Sequence, residues 1–149
     1  MDYVKPLKML RNRLTLSLLL AAATASANAH ADVVVIVSAK SPVKHLTAEQ
    51  TAKIFLGKTS SFPDNGDAVP IDQAVGSPIR DEFYAKVTHK NPSQLSAYWA
   101  KVIFTGDGRP PAMLDSNAAV RKAVASNPNA IGYIDKRSVN KSVRVILAP

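Results

Sequence analysis

The sequence contains no cysteine. Disulfide frameworks, thiol nucleophiles, Cys-ligated zinc and iron–sulfur clusters are therefore excluded together. It also lacks any stretch near the roughly 18 apolar residues of a membrane helix, the longest run being Leu14 to Ala25. No repeat, low-complexity tract or long linker interrupts residues 32–149. No two of His30, His45 and His89 stand at ligand spacing, so no metal site is expected. Asp64, Asp67, Asp72, Asp81, Glu82, Asp107, Asp115 and Asp135 are available for acid–base work. No nucleophile elbow or His-Glu-x-x-His pattern accompanies them, so the sequence supports neither an enzyme nor a cofactor.

What is present begins with an export signal. Lys5, Lys8, Arg11 and Arg13 form a basic segment before the apolar run, and small residues follow it, with cleavage expected after Ala29 or Ala31. Residues 1–31 are read as this signal, and residues 32–149 as a single exported domain of 118 residues. The whole chain carries a formal charge of +8, but four cations and Asp2 fall in the signal. The remainder has 15 basic against 10 acidic residues. That excess suits an anionic ligand, yet the basic residues are scattered along the chain and give no sign of nucleic-acid binding.

The order of elements gives the fold class. Val33 to Val37 is a β-branched run suited to a central, parallel-type strand buried on both faces. Thr47 and Gln50 have capping-box spacing and open a helix with Ala48, Thr51, Ala52, Ile54 and Phe55 inward, ending at Gly57. Residues 62–66 (FPDNG) are turn chemistry, and Ala68 to Gln73 reads as a second strand. Ser77-Pro78 starts a helix running to about Thr88. Asn91, Pro92 and Gln94 start another, with Leu95, Tyr98, Trp99, Val102 and Ile103 on its apolar face. A fourth helix should begin near Ser116, with Val120, Ala123 and Val124 inward, and break at residues 127–129 (NPN). Ile131 to Ile134 and Val143 to Leu147 close the chain as strands. Strands alternating with helices predict an α/β domain, a mostly parallel central sheet flanked by helices.

Gly57-Lys58-Thr59 is not a phosphate loop. Ala52 stands where a Walker A glycine is needed, and the segment ends a helix instead of opening one. The Ser77 turn is different, because a strand end meeting a helix start offers free N–H groups and a positive dipole end to an anion. Ile79 and Arg80 supply backbone donors there, Ser77 a hydroxyl and Arg80 a guanidinium. The competing reading is that Ser77 caps its own helix and Arg80 is solvated.

Several segments together resemble the phosphate-binding protein of phosphate ABC importers: 46–58 (LTAEQTAKIFLGK), 62–66 (FPDNG), 77–83 (SPIRDEF), Tyr98-Trp99, 104–106 (FTG) and 127–133 (NPNAIGY). The resemblance implies a type 2 periplasmic-binding-protein-like fold, of which residues 32–149 correspond to a single three-layer lobe. In that family two lobes close on phosphate, and one lobe supplies an arginine followed four residues later by a serine-glycine-threonine turn. Laid on this sequence, the arginine falls on Gln73, the serine on Ser77, the glycine on Pro78 and the threonine on Ile79. The implied function is phosphate or oxyanion binding linked to ABC-type uptake, with Ser77, Ile79, Arg80 and Gln73 as site residues. The alternative is a ligand-free periplasmic module kept for contact with a second copy or an envelope protein.

Overall fold

The computed structural model of the chain describes residues 31–63 and 66–149. The expected export signal thus lies outside the described residues except for Ala31, as do Asp64 and Asn65 of the expected turn. In chain order the elements are β1 (Val33–Ser38), α1 (Ala48–Phe55), β2 (Ser61–Phe62), β3 (Gly66–Asp67), β4 (Val69–Gln73), α2 (Pro78–Thr88), α3 (Pro92–Thr105), β5 (Ala112–Leu114), α4 (Asn117–Ser126), β6 (Ala130–Asp135) and β7 (Val143–Leu147), with a 3-10 turn at Lys136–Ser138 before β7. No helix among the described residues is long and apolar enough to cross a membrane.

All six residues of β1 are buried, as its unbroken β-branched run requires. Its two faces feed two cores. Val33, Val35 and Val37 pack with Ile54, Phe55, Phe83, Leu95 and Trp99 of the α1, α2 and α3 layer, whereas Val34 and Ile36 meet Val120 and Val124 of α4. Each such side chain contributes roughly 1.5–3 kcal/mol on burial, so β1 is the strand on which both layers depend. Helices thus cover the two faces of one sheet, giving the three-layer α/β lobe expected. A close approach sets the second layer: a Cβ on Gly132 would stand 2.7 Å from Val120 Cγ1, so only glycine lets α4 lie this near β6.

The five-stranded sheet runs β5-β4-β6-β1-β7. β4 is parallel to β5 and to β6, while β1 is antiparallel to both β6 and β7. Four strands therefore point one way and β1 alone points the other. The sheet is mostly parallel in strand direction, but β1 is not the parallel-type strand expected. Burial on both faces reports coverage by helices and not strand direction, so an all-β-branched run does not distinguish the two ladders.

Both capping boxes form as expected, at Thr47 with Gln50 and at Asn91 with Gln94, and Ser116 caps α4. On α3 the inward stripe is shorter than expected. Leu95 and Trp99 are buried and Tyr98 and Val102 pack partly buried against the same core, but Ile103 is 57% and Phe104 91% exposed. β5 and the β2–β3 hairpin were not expected. Each is too short for a period of two to show.

Candidate functional site

The expected site lies where β4 hands over to α2. Residues 74–77 form a turn closed by the Ser77 N–H donating to the Ala74 carbonyl at 3.1 Å. Gly76 sits at φ 86°, the left-handed conformation that the third residue of a type II turn requires. Ser77 follows as an extended N-cap, with Pro78 at the first helical position. The Ser77 hydroxyl makes no capping hydrogen bond, so the capping alternative is not realised. Its carbonyl accepts from the N–H groups of Arg80 and Asp81, both at 3.1 Å. The Arg80 backbone donor, expected to face a ligand, is thus spent within the helix. The Ile79 N–H has no partner among the described residues, while the Ile79 side chain is buried in the α1–α3 layer.

Arg80 is not a solvated cation. It is only 7% exposed; its Nε donates to Asp72 Oδ2 at 3.3 Å, and its guanidinium carbon lies 5.1 Å from the centre of the Tyr84 ring. Asp72, 1% exposed, receives three further donors: the Tyr84 hydroxyl on Oδ2 at 2.9 Å, the Gln73 N–H on Oδ1 at 2.8 Å, and the Tyr133 hydroxyl on Oδ1. All four groups donate, which is the inventory of an ionised carboxylate. Burial, and then the charge and hydrogen bonds of Asp72, hold the Tyr84 and Tyr133 hydroxyls well above their ordinary titration range. Both remain donors at any physiological pH. The guanidinium nitrogens beyond Nε make no hydrogen bond among the described residues, so Arg80 keeps donors to offer, although Asp72 offsets its charge.

Gln73 is occupied differently. Its Nε2 donates to Asn117 Oδ1 at 2.9 Å and to the Tyr133 carbonyl at 3.0 Å, and Asn117 Oδ1 also accepts from the Asp135 N–H. Both amide hydrogens tie β4 to β6 and to the start of α4. A donor role toward an anion is closed to Gln73, which can neighbour a ligand only through its carboxamide oxygen.

In the sequence Asp72 is one of several unassigned carboxylates, and nothing local marks Tyr84, Tyr133 or Asn117 as partners in this cluster. The available signal was weak. Strand alternation puts Tyr133 on the face of Ile131 and puts a charge within a short strand, but the residues that meet it lie 12 and 61 positions away.

The fold has counterparts among solved structures. A phosphate ABC transporter substrate-binding protein from Clostridium perfringens, with bound phosphate, is 25% identical, with a TM-score of 0.62, over 77% of this chain and 44% of that one. The chain's structural neighbours are substrate-binding proteins of phosphate ABC transporters. An ABC-type phosphate transport receptor from Vibrio cholerae matches at 22% identity and a TM-score of 0.61, over 77% of this chain and 45% of that one. PstS from Borrelia burgdorferi, 19% identical with a TM-score of 0.54, is matched over 46% of its length and 77% of this chain. At these identities the last two speak to the fold alone. The chain spans less than half the length of each neighbour. No protein-family model and no curated protein matches the sequence.

Proposed function

We propose that this is an exported, periplasmic solute-binding lobe that takes phosphate or a similar oxyanion at the start of α2, in the service of ABC-type phosphate uptake and without a catalytic step. The observation that carries this reading is the pair of unspent donors at that helix start, the Ser77 hydroxyl and the Ile79 N–H. They stand at the positive end of an eleven-residue helix, where an anion is favoured. Ser77 is also the residue that the family resemblance aligns with a phosphate-contacting serine, and the Clostridium perfringens neighbour holds phosphate. Arg80 serves as the cation of the site in place of position 73, clamped by Asp72 so that its direction is fixed.

Two features limit affinity. Asp72 cancels much of the attraction that Arg80 exerts, and a lobe alone leaves the anion open to water, which competes for each hydrogen bond. Isothermal titration of the protein with phosphate and with sulfate should give saturable binding at millimolar concentration. Absence of both heat and thermal shift with either anion removes the reading.

A second reading is favoured by the exposed Ile103 and Phe104 at the end of α3 together with the occupied Gln73 and the donorless Pro78. In it the lobe serves contact with a second copy or an envelope protein, and binds no anion. A defined oligomer that is dispersed by Phe104→Ser in light scattering supports it; a monomer that recovers no periplasmic partner opposes it.

A further inference from the structure

The basic residues are distributed along the whole chain, but their excess is not. Residues 32–115 hold nine basic and nine acidic side chains, whereas residues 116–149 hold Arg121, Lys122, Lys136, Arg137, Lys141 and Arg144 against Asp135 alone. The entire surplus of residues 32–149 therefore sits on α4, β7 and the segment before β7. Asp135, moreover, is consumed by Arg137, which binds Oδ1 through Nε at 3.0 Å and Oδ2 through Nη2 at 2.6 Å.

The topology explains why this end is hollow. β6 and β7 run the same way on either side of β1, so residues 136–142 must travel back along the sheet beside α4. Parallel strands are ordinarily joined by a dozen or more residues carrying a helix that packs on the sheet. Seven residues with a single 3-10 turn leave the space unfilled. A shallow, open cleft of about 550 Å³ remains, its lining including the exposed Ala118 and the half-buried Ala125, whose side chains are too short to fill it.

The walls of the cleft offer donors. Arg121 is anchored by one nitrogen, Nη1 donating to the Ser138 carbonyl at 2.6 Å, which leaves the rest of its guanidinium available. Lys122, exposed, stands beside it on the rim. Across the cleft the Asn140 Oδ1 is already taken by the Ser142 N–H and hydroxyl, at 3.0 and 2.5 Å, so the amide presents its NH2. Ser142 in turn is fixed by the Ala39 N–H on its carbonyl at 3.0 Å. No carboxylate lines the cavity. The negative end of the α4 dipole works against an anion near Ser126, but that effect is confined to the last turn and is weaker than two full charges.

We propose that this cleft is a second anion site, on the opposite side of the sheet from the Ser77 turn, and that it takes a compact phosphate ester. The cleft has room for more than a bare tetrahedral oxyanion, and its open shape suits a group that is only partly enclosed. The absence of any aromatic from the lining disfavours a nucleotide, whose base has nothing to stack on. A soluble glycerol phosphate and the headgroup of phosphatidylglycerol share this chemistry.

Amide-resolved NMR of the purified protein, titrated with glycerol 3-phosphate and separately with phosphatidylglycerol or phosphatidylcholine vesicles, tests it. Saturable shifts centred on Lys122, Asn140 and Ser142 are expected, with affinity at least tenfold weaker in Arg121→Ala/Lys122→Ala and unchanged in Ser77→Ala. Lys122→Glu, at an exposed position outside the fold's contacts, should give the same loss if the double variant fails to fold. Binding to phosphatidylglycerol vesicles alone assigns the lipid as the source of the same group. Non-saturating shifts with both probes, or affinity that survives Lys122→Glu, overturn the proposal. Loss of phosphate binding in Ser77→Ala with this cleft unaffected separates the two sites.

Discussion

Helices α1, α3 and α4 begin on a side chain that folds back over its own N-terminus, while α2 does not. Thr47 and Asn91 each complete a capping box, with all four hydrogen bonds between 2.9 and 3.1 Å, and Ser116 accepts from the Ala119 N–H at 3.0 Å. Ser77 has the right residue type, an extended backbone and a proline after it, yet its hydroxyl is unused. The N–H three residues after the cap makes the difference. Those of Gln50, Gln94 and Ala119 go to the cap side chain, whereas that of Arg80 goes to the Ser77 carbonyl while its side chain points down to Asp72. α2 is thus held from below, by the Arg80–Asp72 ion pair and by the Tyr84 hydroxyl on the same carboxylate. Holding a helix by its underside leaves donors at its tip available to something else.

The largest effect should come from removing that underside anchor. Asp72→Ala leaves a buried guanidinium without its carboxylate and two buried hydroxyls without an acceptor, and should cost about 3–5 kcal/mol, read from urea unfolding. A loss near that of a cap would mean that α2 is held otherwise. The same anchor should show in the pH dependence. Tyr84 and Tyr133 titrate near 10 when unfolded and well above that when folded, so their contribution is complete below about pH 10. It is lost as pH rises beyond that value, at roughly 1.4 kcal/mol per pH unit for each tyrosine. Tyrosinate absorbance followed alongside circular dichroism checks this. Ionisation of these tyrosines with the secondary structure intact would contradict burial as the cause.

The same contrast separates what could be read in the sequence from what could not. Capping is local, its partners lying three residues apart, so Thr47, Asn91 and Ser116 announced their helices and the alternation of strands and helices followed. The β7 bounds and the break after α4 were equally legible, since each rests on neighbouring residues. The Asp72 cluster joins β4 to α2 and β6 through residues up to 61 positions apart, and no local pattern encodes such a meeting. For that reason Gln73 and Arg80 were expected at a ligand, while the fold uses both amide hydrogens of one and the Nε of the other. The direction of β1 was hidden for another reason, because a strand buried on both faces has the same composition in either ladder.

A smaller effect tests the capped side of the comparison. Asn91→Ala removes a side-chain acceptor from the Gln94 N–H and should cost about 1 kcal/mol, with α3 fraying at its start in hydrogen exchange. Thr47→Ala should behave likewise at α1. Values near zero would mean that these boxes form without contributing, and the contrast with α2 would lose its meaning.

The smallest expected change in stability belongs to Ser77→Ala, and it is the most discriminating. The hydroxyl makes no bond within the fold, so its loss should alter the unfolding free energy by no more than about 0.5 kcal/mol. Phosphate titration of the same variant should nevertheless fall at least several-fold, since one of the two unspent donors at the helix tip is gone. The two measurements must diverge for the reading to stand. If Ser77→Ala instead costs as much as Asn91→Ala while phosphate binding is untouched, the hydroxyl caps α2 in solution, the four helix starts are alike, and the anion must be sought elsewhere on the molecule.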